Sequence, residues 1–163
     1  MIRVFRYITL SVLFIIIQTT IANFLAIRDI VPDILIVWIV YLAIREGQIT
    51  ATVAGFLIGG AMDLLAGGDG MLGLSALTKT VAGFCAGYFY NENKILQTLG
   101  GYYFLIAIGV AAFLHNTLYF IIFLQGTGID VAGILLLYGF PATLYTTAVG
   151  LFPMFAFARK MLS

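Results

Sequence analysis

Six apolar runs alternate with short polar joints along this chain, at 4–25, 32–44, 49–66, 71–90, 95–124 and 129–158. Each run predicts a helix. A helix needs roughly 20 residues to cross the hydrocarbon of a bilayer. The last two runs exceed that length, so they are expected to tilt or protrude. Pro141 removes one backbone hydrogen bond from the sixth and predicts a bend there. The second run is short. Pro32 suits its first turn, and Asp33 beside it suits the positive end of the helix dipole.

Charge decides whether the short run crosses. With six crossings and the N-terminus inside, the inner joints hold Arg3, Arg6, Arg45, Lys94, Arg159 and Lys160, and the outer joints hold Arg28 alone. Without the second run every later joint flips, leaving Arg3 and Arg6 inside and five cations outside. The first arrangement obeys the positive-inside bias and the second violates it. The expectation is an all-α integral membrane protein, one domain over 1–163, with six transmembrane helices and both termini cytoplasmic. The N-terminus also has the look of a leader peptide ending near Thr20-Ile21-Ala22, but its apolar run continues to Leu25 and is long enough to span.

Composition agrees. Hydrophobic residues make up 63% of 163 residues and charged residues 9%, against about 25% charge in soluble domains. Mean hydropathy is +1.11. A net charge of +1 offers no field for nucleic acid. Cys85 is the single cysteine, expected as a buried thiol, and one histidine without a cysteine or carboxylate cluster gives no metal site. No cofactor is expected.

Few polar groups remain inside the runs. Lys79 lies eight residues into the fourth and His115 nine residues from the end of the fifth, so both are expected roughly 12–13 Å below the outer surface. Asn116 adjoins His115, Asp63 ends the third run, and Gln18 lies in the outer half of the first. These form a candidate polar network: Asp63, Lys79, His115 and Asn116. A lysine in hydrocarbon requires a partner. Asp63 is nearest in sequence and depth, which predicts an Asp63–Lys79 pair under the Gly67-Gly68-Asp69-Gly70 turn.

Glycine gives a second signal. Gly55 and Gly59 share a helix face, as do Gly83 and Gly87. Such faces serve either packing within the protein or docking of a partner's helix. On the docking alternative, bulk at Gly55 or Gly59 breaks partner capture while the protein still inserts.

Three ordered groups of residues resemble one family. They are Pro32-Asp33 with Arg45-Glu46-Gly47, then Gly55-Phe56, Gly59 and Asp63-Leu64 running into Gly67-Gly68, Gly70 and Gly73-Leu74, then Gly83 and Gly87-Tyr88. Together they resemble the bacterial rod shape-determining protein MreD. The resemblance is densest over 32–88. It implies a fold similar to the six-helix substrate-binding subunits of energy-coupling-factor transporters and a non-enzymatic scaffold role in side-wall peptidoglycan synthesis at the bacterial plasma membrane. It also implies partners: the single-pass protein MreC, a RodA-type polymerase, a class B penicillin-binding transpeptidase, and an MreB-type filament.

The residues leave a second function open, a small-molecule-binding subunit of a transporter, with Gln18, Lys79, His115, Asn116 and Tyr119 around an outward pocket. An intramembrane protease is a weak third, since Ser75 and His115 lie on different runs without a nucleophile motif.

Overall fold

The computed structural model describes residues 2–28, 30–66 and 71–162. The chain is 84% helical, with no strand among the described residues, so it is all-α. The helices are α1 (Ile2–Thr20), α2 (Ile34–Glu46), α3 (Gln48–Leu65), α4 (Leu74–Ala86), α5 (Ile95–Leu99), α6 (Tyr102–Phe123), α7 (Val131–Ile134), α8 (Phe140–Val149) and α9 (Leu151–Leu162). Each expected run contains a helix. Among the described residues, four stretches are long and apolar enough to cross a membrane: Ile2–Thr20, Gln48–Leu65, Tyr102–Phe123 and Val131–Lys160. Helices α2 and α4 have 13 residues each, or about 20 Å at the helical rise.

The long runs break where the sequence removes side chains or donors. The fifth divides into α5 and α6 at Gly100-Gly101, a break the apolar pattern did not predict. In the sixth, where Pro141 was expected to bend the helix, a π-helical turn over Leu135–Gly139 ends two residues before the proline. A π turn re-registers the ladder where a donor is missing. The first run stops being α-helical at Thr20 and continues as a 3₁₀ turn over Ala22–Leu25. The Gly67-Gly68-Asp69-Gly70 turn lies outside the described residues.

Helix α2 is the axis of the fold. Leu35 through Val40 and Leu42 through Ile44 are all buried, and α2 packs on α1, α3, α4, α5, α6 and α8. A helix apolar on every side is a core helix. The periphery is also apolar: Phe5, Val12, Val53, Leu57, Leu136 and Phe152 are exposed. Apolar exposure on this scale suits lipid as surroundings.

Helix α1 lies antiparallel to α2. Tyr7 donates to Glu46 at one end (2.5 Å), Trp38 Nε1 donates to Ser11 Oγ midway (2.9 Å), and Gln18 meets Pro32 and Ile34 at the other end. Trp38 stacks on Tyr41, which stacks on Phe157 of α9.

The glycine faces are consumed between α3 and α4. Gly55 lies against the Lys79 carbonyl, Gly59 against the Ser75 carbonyl and Gly87 against Gln48, while a Cβ at Gly83 would sit 2.5 Å from the Ala51 carbonyl oxygen. Packing within the protein is therefore the use of all four. The docking alternative for Gly55 and Gly59 is corrected, because no surface remains there for a partner. Cys85, expected to be buried, is half-buried on the same helix.

Candidate functional site

The site begins with how α2 starts. Its first turn has amide groups that no helical carbonyl can reach. Asp33 caps the helix, accepting from Ile36 N at 3.1 Å. Gln18 of α1 supplies a second: its Oε1 accepts from Ile34 N (2.8 Å), and its Nε2 donates to the Pro32 carbonyl (3.2 Å). The backbone N of Asp33 donates to Thr146 Oγ1 of α8 at 3.0 Å. Three helices thus fix one carboxylate in place.

The second oxygen of Asp33 takes the buried lysine. Lys79 Nζ donates to Asp33 Oδ2 in an ion pair, with 5% of the lysine side chain exposed and 20% of the aspartate. His115 Nε2 of α6 lies 3.5 Å from Lys79 Nζ and 3.5 Å from Asp33 Oδ2. Charge this deeply buried is tolerated only when paired and hydrogen-bonded, and here the α2 N-terminus adds a favourable dipole.

Next to His115, Asn116 Nδ2 donates to the Gly139 carbonyl (3.2 Å) and to Thr143 Oγ1 (3.0 Å). The π turn before Pro141 is therefore tied to α6. The layer runs from Gln18 through Asp33, Lys79, His115 and Asn116 to Thr143 and Thr146, with contributions from α1, α2, α4, α6 and α8.

Beside it is a cavity of about 480 Å³, lined by Gln18, Asp33, His115 and Asn116 on the polar side and by Tyr119, Phe120 and Tyr138 among its walls.

Asp63 lies outside this layer, which corrects the expected Asp63–Lys79 pair. Its Oδ2 accepts from Gly73 N and Ala76 N and its Oδ1 from Ser75 N, all at 3.0 Å. Helix α4 starts at a left-handed glycine, Gly73 at φ +92°, with no side-chain cap of its own. Asp63 provides that cap from a neighbouring helix, and three of its roughly four acceptor sites are committed to it. Lys79, more than a turn further along, reaches α2 instead.

Of the expected network, Lys79, His115 and Asn116 come together, and Gln18 and Tyr119 join His115 and Asn116 at the cavity. Asp33, Thr143 and Thr146 were missed. A signal for Asp33 was present in the shortness of its run, which brings its first acid level with Lys79 among longer neighbouring helices. Ser75 and His115 serve different ends, the first through its amide to Asp63 and the second beside Asp33.

Among the described residues no cluster of histidine, cysteine and carboxylate has the makings of a metal site. No family model, curated protein or solved structure matches the chain.

Proposed function

We propose that this chain is a non-enzymatic, multi-pass scaffold of the MreD kind, serving side-wall peptidoglycan synthesis from the bacterial plasma membrane. In this reading α2 and α4 complete six crossings, and both termini are cytoplasmic. The distribution of cations supports it, since Arg3, Arg6, Arg45, Lys94, Arg159 and Lys160 fall on alternate joints. The shortness of α2 is no obstacle. Protein surrounds it, and irregular backbone at membrane depth is tolerated where protein covers it. The residues that carry the resemblance also have structural work. Asp33 caps α2, Gly47 forms the α2–α3 corner at φ +91°, Gly55, Gly59, Gly83 and Gly87 line the α3–α4 contact, and Asp63 caps α4.

The observation that carries the scaffold reading is a groove between α1 and α3. It has a volume of about 330 Å³ and includes Val4, Ile8 and Val12 on α1 and Val53, Leu57 and Ala61 on α3. From Val4 to Ile15, and again from Thr50 to Ala61, it runs roughly 17 Å, or three turns. An apolar trough of that length suits one transmembrane helix, and an MreC-like single-pass protein supplies one. The RodA-type polymerase, the class B transpeptidase and the MreB-type filament are then held through that partner or beside it.

The test is co-purification from membranes. Val53→Trp and Leu57→Trp fill the groove and are expected to lower recovery of the single-pass partner about tenfold, an amount that one lost hot spot produces. Phe56→Trp, exposed on the same helix outside the groove, is expected to leave recovery unchanged. Full recovery with both groove variants removes this surface from consideration.

A further inference from the structure

The cavity beside the polar layer carries more hydrogen-bonding capacity than the fold uses. Asn116 spends both amide hydrogens on Gly139 and Thr143, and its Oδ1 accepts from no group among the described residues. Asp33 accepts one bond at Oδ1, from Ile36, and its carboxylate has further lone pairs. His115 is buried, and its Nδ1 has no partner among the described residues. Whichever tautomer forms, Nδ1 has one bond to give or to take: with hydrogen on Nε2 it is an acceptor, and with Nε2 accepting from Lys79 it is a donor. Buried polar atoms in folded proteins nearly always have a partner.

Charge narrows what fits. Asp33 lines the cavity and Lys79 does not, but the lysine behind it neutralises the carboxylate, so the pair offers no net charge to an ionic ligand. Three flat rings, Tyr119, Phe120 and Tyr138, line the remaining walls together with Ile30, Val31 and Ala142. The volume of about 480 Å³ falls in the range of small-molecule sites.

We propose that this cavity binds a small, uncharged organic molecule with a flat ring and hydrogen-bond donors, which it presents to Asp33 and Asn116 while the ring lies among Tyr119, Phe120 and Tyr138. His115 contributes its ring to the same wall. The proposal stands apart from the scaffold role, because it concerns a different surface and is tested on the chain without partners.

The experiment uses the full chain purified from membranes in mild detergent. Thermal unfolding is followed with nicotinamide, thymine and indole as neutral donor-bearing rings, and with nicotinate and benzylammonium as charged counterparts. In parallel, a methanol extract of the purified protein is analysed by mass. The expected result is a dose-dependent rise in Tm with at least one neutral ring, at least tenfold weaker response to both charged ones, and no response in Ala142→Trp, which fills the cavity. Tyr138→Ala, at the partly exposed wall, folds without strain and is expected to weaken the response roughly tenfold, the value of one aromatic contact. Three results overturn the proposal: a response that survives in both variants, a charged ring that binds as well as a neutral one, or silence from all three neutral rings together with an extract holding only phospholipid.

Discussion

Helix α4 is held on two sides by opposite means. Toward α3 it presents glycine, and the backbones touch: Gly55 and Gly59 lie on its Lys79 and Ser75 carbonyls, and Gly83 lies on the Ala51 carbonyl. Toward α2 and α6 it presents a charge, and Lys79 ends on Asp33 beside His115. Between the Asp63 cap at one end and the Gln48–Phe84 hydrogen bond at the other, the first contact is dispersion, tolerant of chemistry and intolerant of volume. The second tolerates some rearrangement of shape but not the loss of one partner. The same helix therefore responds to mutation in two different currencies.

The largest effect is expected at the charged side. Lys79→Met leaves the Asp33 carboxylate buried with Ile36 N and a distant His115 Nε2, which costs about 3–5 kcal/mol. Asp33→Asn leaves the lysine stranded at similar cost. Removing both charges leaves nothing stranded, so the double variant is expected to be less destabilised than the sum by about 2–3 kcal/mol. Unfolding in mixed detergent micelles measures all three. A double variant equal to the sum would dissolve the ion pair as an energetic unit.

The glycine side comes next. Gly59→Leu drives a side chain into the Ser75 carbonyl and the Ala76 backbone, where no rotamer change gives relief, and is expected to cost about 3 kcal/mol. The neighbouring glycine sharpens the claim. Around Gly60 nothing lies within 4 Å of a built Cβ, so Gly60→Ala is expected to stabilise the helix by up to about 1 kcal/mol. Equal losses at both positions would mean that α3 dislikes any side chain there, and the contact with α4 would lose its explanation.

These two contacts also differ in how well the sequence announces them. The glycine contact is a property of single helices. Gly55 and Gly59, or Gly83 and Gly87, are four apart on one strand of sequence, and spacing alone puts them on a face. The charged junction has no local spacing. Gln18, Asp33, Lys79, His115 and Thr146 come from five helices, and they meet only because of where each helix begins and how deep it sits. Counting depth from run boundaries placed Lys79 and His115 together correctly. It misplaced Asp33, because the short second run was given a surface start. The breaks at Gly100-Gly101 and Gly150 were hidden for a related reason: hydropathy does not see a glycine as an interruption, whereas the backbone does.

The smallest loss separates Asp63 from the junction it was expected to join. Asp63 holds three amides of the first turn of α4, at Gly73, Ser75 and Ala76. Asp63→Ala frees them at a helix end that solvent partly reaches, so the expected loss is about 1–2 kcal/mol, the value of a helix cap. Combined with Lys79→Met, the two losses are expected to add within about 0.5 kcal/mol, since Asp63 and Lys79 share no partner. Asp33 with Lys79 is non-additive by the argument above, so the two cycles bracket the lysine from both sides. A coupling between Asp63 and Lys79 as large as that between Asp33 and Lys79 would return the lysine to the α3 side and remove α2 from the junction.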